Sequence, residues 1–347
     1  MTFKVIDGTK WKALQSKNCN YLFNRETGLH AVWGKTKDED PTYSPYGPFI
    51  LDIEVTTKCS GVGGKLCPAC YKSNTCKGDN MSLDTFKRIL DAININNTLT
   101  QLAFGLGSTG EENPDVWEMC DYSRSKGIVP NGTVADISDE TADKIVNKFG
   151  ACAISYHSDK DICYDSIKKL TDRGLKQTNM HLVVYKEALD EIYSVIDDIA
   201  GGDKRLSKLN AVIFLSLKKK GRAENKFTQL SQDEFESIIN YAVKKKINYG
   251  MDSCTATKYL KFLDKNEEHE NQRQFVEPCE SSLFSSYVDV FGKFHPCSFC
   301  EKSCSWPKGA DILKINNFVD DIWNGDTIKV WRDKLLSNNR DCFEYEV

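Results

Sequence analysis

The sequence predicts an α/β protein, a partial (β/α)6 barrel of the TIM type over residues 49–250. An N-terminal arm (1–48) precedes it, and a smaller cysteine-bearing domain (251–347) follows. Three observations carry this reading. Six apolar strand runs alternate with amphipathic stretches from Phe49 to about residue 250. Caps and glycines mark the helix ends. Beyond residue 250 the rhythm breaks, and cysteines and turn residues crowd together.

Residues 1–48 are polar and irregular and end in the Pro- and Tyr-rich run Pro41 to Pro48, which reads as an arm packed on the main domain. Phe49–Val55 is the first strand run, and Ser82 caps a helix whose Phe86, Ile89, Leu90 and Ile93 repeat at helical spacing. Gln101–Leu106 is the second strand, with Asn113 and Pro114 opening the next helix. A third strand is expected near Ile128, followed by a helix ending at Phe149 and Gly150. Ala151–Ser155 is the fourth, and its helix from Asp159 to Arg173 is stopped by Gly174. Met180–Tyr185 is the fifth, with a helix through Ile199 stopped at Gly201 and Gly202. Leu209–Leu217 is the sixth, and Ser231 with Glu234 makes a capping box ahead of the last helix. Successive strand–helix units make a parallel sheet with helices outside, and right-handed crossovers curl it towards a barrel. Chemistry in such folds sits at the carboxyl ends of the strands.

The 347 residues suffice for about two domains. With 40% hydrophobic and 28% charged residues, the chain buries a real core, which excludes wholesale disorder. The net charge of −4 sets up no field towards nucleic acid or anionic membrane, and the runs Lys218–Lys220 and Lys244–Lys246 read as solvated faces. No stretch approaches the ~20 apolar residues of a membrane helix, and the N-terminus lacks a signal-peptide core. A soluble, cytoplasmic protein is expected. In that reducing compartment, 14 cysteines point to metal or redox chemistry.

The first constellation is Cys59-x7-Cys67-x2-Cys70, directly after the first strand. Three thiolates on one loop hold three irons of a cubane and leave the fourth open to a ligand. Gly61, Gly63 and Gly64 let the loop wrap closely. The alternative is a zinc knuckle with Cys76 as fourth ligand.

These features resemble the radical S-adenosylmethionine (SAM) superfamily, whose mark is a three-cysteine loop after the first strand of a partial barrel. The resemblance covers roughly residues 49–250. Gly107-Ser108-Thr109-Gly110-Glu111-Glu112 is similar to the family's Gly-Gly-Glu-Pro segment, which implies Thr109, Gly110 and Glu111 at the methionine amino group. Pro130-Asn131-Gly132-Thr133 looks like its Thr-Asn-Gly-Thr turn, implicating Asn131. Ser155 stands where the family places a ribose contact. Arg222, in Gly221-Arg222-Ala223, is implied as a partner of the methionine carboxylate. The chain departs from the family in its first cysteine gap (seven residues instead of three) and in the missing proline of the second motif. Ala69 stands where an aromatic usually touches adenine, and Tyr71 is the candidate for that role. The resemblance implies a 4Fe-4S cluster on Cys59, Cys67 and Cys70. One electron from it cleaves SAM to a 5′-deoxyadenosyl radical that abstracts hydrogen from a substrate.

The tail holds Cys254, Cys279, Cys297, Cys300, Cys304 and Cys342. Its Cys279-x12-Gly292-x4-Cys297 spacing resembles the cluster hairpin of the family's SPASM and twitch extensions. The physical sense is a hairpin (Ser286–Val290, turn at Gly292, Lys293–His295) that sets two thiolates beside one cluster. A twitch-like domain with one auxiliary 4Fe-4S cluster is implied, on Cys254, Cys279, Cys297 and either Cys342, which is preferred, or Cys300. A zinc ribbon is the alternative.

Cys19, Cys76, Cys120, Cys152 and Cys163 read as spare or buried thiols. His157 and His181 read as core histidines at least as readily as substrate contacts, and His295 reads as packed near the cluster rather than as a ligand. Members with such extensions imply peptide or protein modification, or oxidation of a small molecule or nucleoside, with an electron donor such as flavodoxin or ferredoxin. A non-enzymatic electron carrier is the competing class, and it needs no barrel.

Overall fold

The computed structural model describes residues 2–36, 39–303 and 305–345. The arm is where sequence reading and structure part. Instead of irregular chain it forms an antiparallel sheet of β1 (Phe3–Asp7), β2 (Trp11–Ser16), β3 (Asn20–Asn24) and β4 (His30–Trp33), ordered β1-β2-β3-β4. Leu14, Tyr21 and Phe23 face inward and pack with Phe49, Leu283 and Phe284. The pattern was hidden because a lysine holds one core position. Lys12 is fully buried, and its Nζ donates to Leu99 O at 2.6 Å and Asn97 Oδ1 at 2.8 Å. Its aliphatic stem is core while its head pins the arm to the barrel.

The barrel runs β5 (Ile50–Glu54), α1 (Leu83–Ile93), β6 (Gln101–Gly105), α2 (Val116–Ser125), β7 (Val129–Val134), α3 (Asp139–Lys148), β8 (Ala151–Ser155), α4 (Lys160–Asp172), β9 (Thr178–Val184), α5 (Leu189–Gly201), β10 (Ala211–Ser216), α6 (Gln232–Lys245) and β11 (Tyr249–Met251). All seven strands are parallel neighbours in chain order. The caps act as their chemistry requires. Ser82 accepts from Thr85 N, Asp159 from Ile162 N, and Ser231 with Glu234 completes the capping box. Phe86, Ile89, Leu90 and Ile93 are fully buried, as their spacing predicts.

The third strand corrects the expectation of a turn at Pro130–Thr133, because those residues lie inside β7. Gly132 makes this possible: a Cβ there would sit 2.6 Å from the Phe149 ring that crosses the strand.

Beyond β11 come α7 (Ala256–Leu263), β12 (Ser285–Val288), β13 (Lys293–His295), β14 (Ala310–Asp311) and α8 (Asp326–Ser337). The hairpin forms, with Gly292 at φ +78° between its strands. It also joins the barrel: β12 pairs in parallel with β5, and β13 and β14 extend the same sheet to ten strands. Phe294, Phe318 and Trp323 belong to one apolar core with Ile53 and Phe86. Among the described residues no helix is long and apolar enough to cross a membrane.

Burial lowers the Lys12 ammonium from its ordinary 10.5 to about 8. Between those values the unfolded chain holds a proton there that the folded chain does not, so stability rises with pH across that window. Lys12→Met should flatten this rise in denaturant midpoints measured from pH 8 to pH 10.5. An unchanged slope would contradict the buried-lysine account.

Candidate functional site

A cavity of about 450 Å³ opens at the carboxyl ends of the barrel strands, and Cys59, Cys67 and Cys70 all line it. They reach it on the loop leaving β5, which the local chemistry folds tightly. Cys59 N donates to Thr75 O at 2.9 Å, and Val62 and Lys65 exchange backbone hydrogen bonds at 3.0 Å. Gly61 sits at φ +78°, and a Cβ there would lie 2.3 Å from Lys65 O. The long first gap is thus a compact turn, and Gly63 N leans on Asp136 Oδ2 at 3.2 Å.

The short turn after β10, Gly221–Ala223, clasps this loop. Arg222 N donates to Cys70 O at 3.0 Å, Nε to Cys67 O at 2.8 Å and Nη1 to Asn74 O at 2.9 Å. Its Nη2 is buried without a partner among the described residues. Gly221, at φ +62°, lies so close that a Cβ would meet Tyr71 O at 2.4 Å. Burial pushes the Cys67 thiol up to about 11, against the opposing pull of the Ala69 N–H and the Arg222 charge. Among the described residues no three His, Cys, Asp or Glu side chains converge as ligands of a single metal ion. A cubane needs no such convergence, since each thiolate binds its own iron. Cys76, the fourth ligand a zinc knuckle would need, is exposed.

Tyr71, Ser155 and Arg222 line the cavity, and Tyr71 packs on Phe299 with centroids 4.3 Å apart. Thr109 and Gly110 stand behind its wall, their N–H groups donating to Glu112 at 3.0 and 3.1 Å. Glu111 points away, to Lys144 at 3.0 Å and the Trp117 indole at 3.3 Å. The carboxylate that folds back on the turn is Glu112, which also accepts from Ser108 at 3.1 Å and Ser60 at 3.3 Å. Burial works to raise its pKa, and the Thr109 and Ser108 donors outweigh burial and hold it below the usual carboxylate value. Two adjacent glutamates look alike in sequence; beside the turn at Gly110 (φ +82°), Glu112 binds the Ser108–Gly110 segment and Glu111 binds Lys144 and Trp117. Asn131 is also displaced from its expected role: its amide donates to Gln101 Oε1 at 3.0 Å, and Thr133, two residues on, lines the cavity.

Sequence reading missed the charged lining. Glu54 meets Lys72 at 3.1 Å and the Tyr287 hydroxyl at 3.1 Å, while Lys72 also reaches Tyr287 at 2.8 Å and pairs with Glu301. Lys218 pairs with Asp252 at 2.9 Å and lies 4.4 Å from the Phe299 ring centroid. Burial lowers His157 and His181, both in the lining, to about 4, so both are neutral at pH 7. Asp52 and Glu54, in an otherwise apolar strand, were the available signal.

The tail cysteines also gather. Every pair among Cys254, Cys279, Cys297 and Cys342 lies close enough for their charges to act on each other. Burial pushes Cys254 up to about 12. Cys300 is buried with its Sγ 3.1 Å from Cys297 Sγ, a contact longer than a disulfide. Cys304 lies outside the described residues. His295 is held by Asp289, 3.1 Å from Nε2. Lys218, beside Cys254, joins this group to the cavity.

No family model matches the chain, and no curated protein matches it either. Among solved structures it is similar to native anSMEcpe with bound AdoMet and Cp18Cys peptide, at 13% identity and a TM-score of 0.55 over 82% of this chain and 83% of that one. Native anSMEcpe with bound AdoMet is similar at 14% identity and a TM-score of 0.53, over 82% and 84%. At such identities the likeness establishes the fold alone, an α/β partial TIM-type barrel shared with that AdoMet-bound structure.

The clasp makes a prediction. Gly202 also has positive φ (+83°), and the space a methyl would take there has nothing within 4 Å, so alanine meets only backbone strain. Gly221→Ala should cost more than Gly202→Ala by about 1 kcal/mol or more in denaturant unfolding. Equal losses would contradict the close approach of the two loops.

Proposed function

We propose that this chain is a radical SAM enzyme, with a catalytic 4Fe-4S cluster on Cys59, Cys67 and Cys70, that modifies a peptide or protein substrate. One observation carries the reading: three thiols of one loop line a cavity at the strand ends, under a clasp whose Arg222 Nη2 is buried with no partner among the described residues. The donor set fits, because thiolates suit iron–sulfur ligation and three of them leave one iron free. Bound there, the cluster and SAM supply one-electron cleavage to a 5′-deoxyadenosyl radical that removes a substrate hydrogen.

The chain's own residues bind and orient. Arg222 Nη2 is a ready donor for the methionine carboxylate. Glu112 fixes the Ser108–Gly110 backbone that meets the amino group, while Tyr71 and Ser155 border the nucleoside. Phe104, Val183, Leu215 and Leu217 keep the cavity dry around a reactive species. Cys254, Cys279, Cys297 and Cys342 are the proposed ligands of an auxiliary 4Fe-4S cluster, with Cys300 as a neighbour of Cys297. A flavodoxin- or ferredoxin-like donor would supply the electron. The peptide reading is supported by the fold shared with anSMEcpe, solved with a bound peptide; a small molecule or nucleoside is the alternative outcome.

Anaerobic reconstitution should load about eight irons per chain. The triple variant Cys59→Ala, Cys67→Ala, Cys70→Ala should retain about four and form no 5′-deoxyadenosine. Continued cleavage of SAM by that variant would overturn the assignment.

The two glutamates separate cleanly. Glu112→Ala should weaken SAM binding about tenfold, the loss expected when a charge-assisted hydrogen-bond network of about 1.4 kcal/mol is removed, and Glu111→Ala should leave it near the wild-type value. The opposite order, read by equilibrium binding of SAM, would restore Glu111 to the site.

A further inference from the structure

The charges lining the cavity do not balance side chain by side chain. Its carboxylates are Asp52, Glu54 and Asp252, and its cations are Lys72, Lys218 and Arg222. Glu54 is matched by Lys72 and by the Tyr287 hydroxyl. Asp252 is matched by Lys218 at 2.9 Å and by Thr255 N at 3.0 Å. Arg222 is committed to the Cys67 and Asn74 carbonyls. Asp52 alone among these carboxylates has no hydrogen bond or ion pair with any described residue.

Its position is specific. Asp52 lies on β5, flanked across the sheet by Ala103 on one side and Tyr287 on the other. The alanine methyl leaves room beside the carboxylate, and the tyrosine hydroxyl is already engaged with Glu54 and Lys72. Asp52 stands two residues before Glu54, about 7 Å deeper along the strand, so it is set back from the loop that carries the three cysteines. Val183 on β9 and Leu215 on β10 give the cavity apolar lining elsewhere on its wall. Asp52 is half-buried and opens on the cavity, and a carboxylate drawn partly out of water without a partner is costly. Burial pushes this one up to about 6, and a cation beside it would relieve that.

We infer that Asp52 anchors a cationic nitrogen carried on an aliphatic chain of the substrate, with the chain lying along the apolar lining. An alkylammonium group has this chemistry, whether as the lysine side chain of a peptide or as a free amine. The inference rests on the functional reading above and names its substrate class.

The test uses iron-reconstituted protein saturated with SAM, titrated calorimetrically with Nα-acetyl-lysine methylamide, its uncharged analogue Nα-acetyl-norleucine methylamide, and pentylamine. A charged probe should bind at least about tenfold tighter than the norleucine analogue, equivalent to about 1.4 kcal/mol. Asp52→Asn should abolish that preference, and Asp52→Ala provides a second variant if the first does not fold. Preference for the lysine derivative over pentylamine assigns a peptide substrate, and the reverse assigns a free amine. Equal binding of charged and uncharged probes, no binding of either amine, or a preference that survives in a folded Asp52 variant would overturn the inference. Formation of 5′-deoxyadenosine by the wild type without probe separates the two readings. Cleavage without charge preference removes only the role of Asp52, whereas no cleavage removes the functional reading.

Discussion

The contact between the cysteine loop after β5 and the Gly221–Ala223 turn after β10 organises everything at the barrel mouth. The loop carrying the three thiols closes part of its length with its own hydrogen bonds, Val62 with Lys65 and Cys59 with Thr75, and other backbone carbonyls are bonded from outside it. Arg222 gathers three of them, on Cys67, Cys70 and Asn74, with one side chain and its own N–H. The planar guanidinium fork suits this, since its donors are fixed relative to one another, and a lysine ammonium would not reproduce it. The sheet brings the first and sixth strands of the half-barrel into position for the contact, and glycine at 221 permits the approach. Fold and site are linked here through backbone atoms, which is why the link leaves only a Gly-Arg-Ala trace in the sequence.

The tail is coupled to the same place. β12 pairs with β5, so the hairpin and the cysteine loop share a strand. Lys72, two residues after Cys70, bonds Tyr287 of β12 at 2.8 Å, and Lys220 donates to Phe299 O and Glu301 O at 2.7 and 2.8 Å. Lys218 spans from Asp252 in the cavity to the Cys254 thiol. Partly buried ion pairs of this kind contribute little net stability once desolvation is counted, but breaking one leaves an uncompensated charge. Their effect is to fix the two cysteine groups in one register.

Much of this was legible from the chain. The strand–helix alternation, the Ser82 and Ser231 caps, the Gly292 hairpin and the cysteine spacings are local signals, and local physics decides them. What escaped depends on tertiary contacts. The arm looked irregular because Lys12 fills a core position and breaks the apolar alternation. β7 looked like a turn because Gly132 answers to the Phe149 ring, a tertiary contact from the end of α3. Glu111 and Glu112 differ only in which way a positive-φ glycine turns them. The interior carboxylates Asp52 and Glu54 were visible as charges in an apolar strand, but the partners of Glu54 lie far along the chain, on Lys72 and Tyr287.

The account turns on one iron being left open by the three thiolates of Cys59, Cys67 and Cys70. The most direct measurement is electron–nuclear double resonance on the reduced, reconstituted protein with SAM carrying ¹⁵N in its methionine amino group. A hyperfine coupling from that nitrogen to the cluster, lost when the three cysteines are replaced, is the predicted result. A fully loaded, reduced cluster at this site that shows no such coupling would contradict the account.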